Sequence, residues 1–195
     1  MANLFQNLEM QAFRAGITPR SKESMKWFRE KASKLRNVNR AQLMKEEPIE
    51  FRQRSALGNM YMYYYDPKHK ATLPYYDSFP LTIIVGKAEG GFTGLNLHYL
   101  PMTLRAKFLD SLMEVTNNKK YDETTKFRLK YDLLNGVQKY KYFKPCFKRY
   151  LKSHVRSRFA YVPPPEWEIA TFLPTADFQK MSMRSVHAES RKMVT

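Results

Sequence analysis

Residues 81–100, LTIIVGKAEGGFTGLNLHYL, read as a strand, a turn and a returning strand. The run LTIIV at 81–85 is mostly β-branched and apolar enough for a strand covered on both faces. GKAEGG at 86–91 reverses the chain, and residues 92–100 come back with Leu95, Leu97 and Tyr99 on one side. Outward from this pair, NMYMYYY at 59–65 has the aromatic character of a strand, DPKHK at 66–70 opens a turn, and LPYYDSFP at 73–80 is a proline-bounded extended segment. Residues 58–100 hold three basic and three acidic side chains, so this region is a neutral scaffold. EWEIATFL at 166–173 alternates Trp167 and Ile169 against Glu168 and Ala170, which suits one more strand at the sheet edge. The expectation is an α+β fold: a small antiparallel sheet over about 58–100 plus 166–173, bent toward a barrel and packed by helices.

The helices follow from period and punctuation. Residues 3–15 place Leu4, Phe5, Leu8, Ala12 and Phe13 on one side and end at Gly16. Residues 22–37, capped by Thr18 or Ser21, line up Met25, Phe28, Ala32 and Leu35, and 40–45 adds a turn. From 14 to 45 there are ten basic and two acidic residues, so 1–57 reads as a basic helical arm. Pro101 opens a helix over 102–115, Asp122 caps another, and Asn135-Gly136 stops it. Residues 58–175 then form the core domain and 176–195 a helical tail.

A formal charge of +16 over 195 residues points to nucleic acid, a membrane surface or an acidic protein as partner. A hydrophobic fraction of 43% is enough for a real core. The lone Cys146 precludes an internal disulfide and fits a reducing compartment. No apolar run approaches the ~18 residues of a membrane span, and the first residues lack the plan of a signal peptide. A soluble intracellular or particle-borne protein is expected. Gly86-Lys87 lacks the GK[ST] ending and following helix of a phosphate loop. His69, His98, His154 and His187 have no zinc-ligand spacing with Cys146 and read as packing or surface histidines. Asp66 and Asp77 near turns, and Glu166 and Glu168 on the last segment, are the carboxylates a metal-dependent nuclease would need to converge. Turn chemistry accounts for the first two. The expectation is no enzyme, no metal, no cofactor and no small-molecule substrate.

The charge concentrates at 133–165, LLNGVQKYKYFKPCFKRYLKSHVRSRFAYVPPP, which has eight cations and no Asp or Glu. Lys139, Lys141, Lys144, Lys148, Arg149, Lys152, Arg156 and Arg158 are interleaved with Tyr140, Tyr142, Phe143, Phe147, Tyr150, Phe159 and Tyr161. Cations neutralise phosphates and rings stack on exposed bases, so this is the candidate DNA-binding segment. From Pro145 onward the spacing of Phe147, Tyr150, Leu151, His154 and Val155 predicts a helix, with Lys148, Lys152 and Arg156 as a separate cationic row. Lys22, Lys26, Arg29, Lys34 and Arg36 form a secondary basic surface.

Several segments together, YMYYYDPKHKATLPYYDSFPL, GFTGLNLHYLP with LRAKFLDSLM, KYFKPCFKRYLKSHVRSRF and PPPEWEIATFLP, resemble a small-protein family of T4-type tailed bacteriophages and cyanophages, the DNA end protectors or head-completion proteins. The resemblance covers roughly residues 58–175, and NLEMQAFRAGITPRSKESMKWF also fits. It implies a non-enzymatic virion protein, met in the host cytoplasm during assembly. Such a protein binds the ends of packaged double-stranded DNA, shields them from host exonuclease and acts in head completion. Head, portal or neck proteins would be its further partners. Contacts of this kind go mainly to phosphate, and neutralising six to ten phosphates lowers affinity by about three to five decades between 50 and 200 mM salt. Tyr140 or Tyr142 would cap a terminal base pair. The residues alone also allow a structural neck, tail or baseplate protein whose basic surfaces dock onto neighbouring virion subunits.

Overall fold

The structure is a computed structural model and describes residues 4–35, 37–45, 50–52 and 57–193; for 50–52 it describes the backbone path. Among the described residues eight strands run in chain order: β1 (Glu50–Arg52), β2 (Met60–Met62), β3 (Tyr76–Asp77), β4 (Leu81–Ala88), β5 (Gly91–Asn96), β6 (Phe147–Leu151), β7 (Phe159–Val162) and β8 (Phe178–Gln179). Seven α-helices accompany them: α1 (Leu4–Arg14), α2 (Lys22–Ser33), α3 (Arg40–Leu43), α4 (Met102–Thr116), α5 (Glu123–Gly136), α6 (Trp167–Phe172) and α7 (Met183–Lys192).

The expected hairpin is the centre of the main sheet. β4 and β5 pair antiparallel from Thr82–Asn96 to Ala88–Gly91, with the register shifting between Ile84 and Gly86. Six antiparallel strands stand in the order β1-β7-β2-β4-β5-β6, and β3 pairs separately with β8. The α+β class is as expected, but the sheet is open, with β1 and β6 at its edges, and is not a barrel. Beyond β2 a single bridge joins Tyr65 to Val155, and the Tyr65 hydroxyl accepts the Leu151 N–H at 3.1 Å. Two backbone hydrogen bonds flank that bridge, from the Asp66 N–H to the His154 carbonyl at 3.0 Å and from the Arg156 N–H to the Tyr64 carbonyl at 2.8 Å.

Alternate residues of the strands serve two different layers. Met60, Met62, Leu81, Ile83, Leu95, Ala160 and Val162 join the main core under the helices. Tyr61, Tyr63, Tyr65, Ile84, Phe92, Tyr150 and Phe159 form a second, mostly aromatic cluster, with Val155 packed on it. Its rings meet edge to face, as Tyr63 does with Tyr150 at 5.6 Å, or stacked, as Phe92 does with Tyr150 at 5.4 Å. Gly94 makes room chiefly for Thr82 beneath the Tyr150 ring. A Cβ there would lie 2.2 Å from Thr82 Cγ2 and 3.4 Å from the Tyr150 ring.

The helices start and stop as their caps dictate. Ser21 and Ser24 form a reciprocal capping box on α2, and Asp122 accepts the Thr125 N–H on α5. Phe5, Leu8, Met25, Phe28 and Ala32 place the N-terminal helices, expected as an arm, in the main core. Residues 166–173 are a correction. They form a short 3-10 turn and α6, not a strand, and every residue of α6 is buried, packed on α2 and α4. Total burial erases the polar face by which a helical period would be recognised.

One buried carboxylate ties these layers. Asp77 accepts the Phe79 and Asp177 N–H groups on Oδ1, at 3.1 Å each, and Asn96 Nδ2 (3.0 Å) and His98 Nδ1 (2.7 Å) on Oδ2. His98 Nε2 then accepts from the Thr175 hydroxyl at 3.1 Å. The His98 carbonyl receives the buried Arg105 guanidinium at 2.9 Å and His187 Nε2 at 2.8 Å. Burial works against the Asp77 charge, but these donors outweigh it and hold the carboxyl below its ordinary range. Burial pushes His98 down, so it sits neutral as the Nδ1–H donor.

Asp77→Ala strands four donors and is expected to cost about 3–5 kcal/mol at neutral pH, read by urea unfolding. Because the Asp77 pKa is depressed in the fold, its contribution is present above the unfolded value of about 3.9 and lost as pH falls below it. The gap between wild type and variant therefore narrows on acidification below about pH 4. Gly94→Ala should destabilise by about 1–3 kcal/mol. Gly136→Ala, whose Cβ meets nothing within 4 Å on a helical backbone, should be neutral or stabilising by about 0.4–1 kcal/mol in the same assay.

Candidate nucleic-acid interface

The basic run is divided among three settings. Residues 137–146 are 3-10 turns, 147–151 are β6, and 152–154 are another 3-10 turn before β7. The helix predicted from Pro145 onward is absent. Residues 91–95 of β5 offer a free ladder edge, and β6 takes it, pairing Leu151 with Gly91 through Phe147 with Leu95. Phe147 then packs against the main core while Tyr150 enters the aromatic layer. The cationic row at Lys148, Lys152 and Arg156 is broken with the helix.

Lys148 leaves the surface. Its ammonium lies 4.3 Å from the Tyr99 ring centre, and burial lowers its pKa. Arg149, on the other side of β6, is exposed and donates to the Glu89 carbonyl at 2.7 Å. Lys152, Arg156 and Arg158 converge instead on one cleft of about 540 Å³ with Val155, Ser157 and Phe159. Lys152 also borders the adjoining hollow of about 360 Å³, where Lys87 joins Gly90, Gly91 and Phe92. The floor of this surface is thus the edge of the aromatic layer, and its rim is cationic. Among the described residues Asp66 is its one carboxylate partner, 3.5 Å from Arg156 and shared with Lys70 at 2.9 Å. Lys152 and Arg158 have no ion pair with a described residue. Lys87 was missed from sequence because a hairpin turn explained it fully. Its register opposite Phe92 puts it beside the 152–158 loop.

Lys139, Tyr140, Lys141, Tyr142 and Lys144 stand exposed on the 3-10 turns before β6. On the secondary surface, Lys22, Lys26 and Arg29 are exposed along α2 and line a groove of about 250 Å³ with Lys107, Asp110 and Phe172. Lys22 reaches Asp110 at 3.9 Å. Lys34 is exposed at the end of α2, and Arg36 lies outside the described residues.

The carboxylates considered for metal chemistry do not converge. Asp66 serves Lys70 and Arg156, and Asp77 is sealed in the core. Glu168 accepts the Ser24 hydroxyl at 2.6 Å and the Arg20 N–H at 3.2 Å. Burial, with Glu9 adding its charge, pushes Glu166 up to about 7. Among the described residues no group of three His, Cys, Asp or Glu side chains could hold a metal ion. Asp77, His98 and Thr175 have the carboxylate–imidazole–hydroxyl connectivity of a nucleophile relay. At 3%, 0% and 0% exposed, they lie out of reach of any substrate in this fold. Burial pushes the Cys146 thiol up to about 12. No described helix is long and apolar enough to cross a membrane.

The model of one protein family, the Phage T4 terminal DNA protecting protein, matches residues 1–192. No curated protein and no solved structure matches the chain. The chain belongs to the Phage T4 terminal DNA protecting protein family.

Proposed function

We propose, from that family membership, that this protein binds the ends of packaged double-stranded DNA in the virion and shields them from host exonuclease as the head is completed. It acts by occupancy and catalyses no reaction. The observation that carries the DNA contact is the cleft where Lys152, Arg156 and Arg158 meet above the aromatic layer, extended by Lys87. Cations that share a single carboxylate among the described residues suit a polyanion, and their targets are phosphates rather than base edges. The sheet beneath supplies rigidity, so the loop cations need little ordering when the duplex arrives.

A second role is favoured by the α2–α4 groove. Lys22, Lys26, Arg29 and Lys107 line it around Phe172, and this surface suits an acidic patch on a head, portal or neck subunit. Assembly in the host cytoplasm would then leave one basic surface on DNA and one on the particle.

The test is a fluorescence titration of a linear duplex across a salt series. Replacing Lys152, Arg156 and Arg158 together by Gln should lower the slope of log affinity against log salt by about 0.9 per lost contact, roughly 2.7 in all. Lys148→Gln should leave the slope unchanged, because that ammonium lies against Tyr99. An unchanged slope in the triple variant would remove the cleft from the account.

A further inference from the structure

Seven rings are interleaved with the cations between 139 and 161, and the fold leaves only two of them exposed. Tyr140 is 64% exposed and Tyr142 56%. Tyr150 and Phe159 are buried in the aromatic layer, Phe143 meets Phe108 at 5.3 Å, and Phe147 and Tyr161 are partly buried against the two clusters. The turn beneath the two exposed rings is fixed in place. Val137, Pro145 and Cys146 are buried, the Tyr140 N–H donates to the Val137 carbonyl at 3.1 Å, and the Phe143 N–H donates to the Tyr140 carbonyl at 3.0 Å. Tyr140 and Tyr142 are therefore presented outward by an anchored backbone. Around them Lys139, Lys141 and Lys144 are exposed, and none has an ion pair with a described residue. No carboxylate side chain occurs anywhere from 133 to 165.

A flat ring between unpaired ammonium groups matches a flat, neutral face between anions. Nucleic acid offers that face only where stacking is interrupted. Every internal base pair is covered above and below, whereas a terminal pair leaves one face open. We propose that Tyr140 and Tyr142 stack on the exposed base face at a DNA terminus while Lys139, Lys141 and Lys144 neutralise the flanking phosphates. This turn is then the element that distinguishes an end from continuous duplex, a discrimination the phosphate-binding cleft cannot make. The inference rests on the DNA-end reading above and adds the group recognised and the residues that recognise it.

The test compares a blunt linear duplex with a dumbbell of equal length whose ends are closed by covalent loops. A second pair of linear duplexes carries 2-aminopurine at the terminal or at a central position. Wild type should prefer the open duplex by about tenfold or more and change terminal but not central 2-aminopurine fluorescence. Tyr140→Ala/Tyr142→Ala should bind open and closed duplexes equally, at the wild-type affinity for the closed one, with an unaltered melting temperature because both rings are at the surface. Tyr140→Phe/Tyr142→Phe keeps the rings and should keep the preference. End preference retained by the alanine variant would overturn the proposal, as would an equal loss of affinity for open and closed duplex. Equal binding of both duplexes by wild type would overturn the stacking and leave the cleft reading intact. Failure of wild type to bind any duplex would overturn both. In that case binding of a polyglutamate probe at the turn would mark it as a protein-docking surface.

Discussion

Four donors converge on one carboxylate that has almost no contact with water, and the fold depends on that convergence. Asp77 collects the amides of Phe79 and Asp177, the Asn96 amide group and the His98 ring. Through them it joins the β3–β8 pair to the end of β5. His98 passes the connection to Thr175, and its carbonyl receives Arg105 from α4 and His187 from α7. An unpaired charge there would be prohibitive, whereas a fully satisfied one specifies a single arrangement of its neighbours. The same three side chain types could be taken for catalytic machinery. Their burial makes them architecture.

That fixed arrangement lets the sheet carry different tasks on its two faces. One face disappears under the helices, and the other holds a layer of rings that the 57–59 and 152–158 segments border. Lys152, Arg156 and Arg158 stand on the 152–158 segment, outside the strands and held at its two ends by β6 and β7. Lys148, within β6, is instead partly buried with its ammonium over Tyr99, while its strand neighbour Arg149 stays exposed. Charge that looks continuous along the chain is therefore sorted by the pleat and by the loops.

Much of this was legible in the residues. The β4–β5 hairpin, the caps at Ser21 and Asp122 and the helix after Pro101 each rest on local chemistry, and local chemistry is present in the sequence. Two of the segments that differed depend on distant partners. Residues 147–155 have helical spacing, yet the open edge of β5 offers them a ladder, and burial of Phe147 and Tyr150 on opposite faces outweighs the local period. Residues 167–172 alternate by accident, because a helix buried on all sides has no polar face to show its true repeat. Of the interface, the identity of the cations and rings was readable, while their grouping was not. Lys152, Arg156 and Arg158 come together on the segment between β6 and β7, Lys148 turns to Tyr99 from β6, and Lys87 is added from β4 beside Lys152.

On the proposed reading the protein protects an end by occupying it, so the most direct measure is survival of the terminus. A linear duplex saturated with the protein at physiological salt would be exposed to a processive exonuclease and its full-length fraction followed over time. The account predicts that full-length DNA persists while the protein stays bound, and that the protection vanishes at a salt concentration that strips the cationic contacts. Digestion at the rate of naked DNA, with the protein demonstrably bound along the duplex, would contradict it.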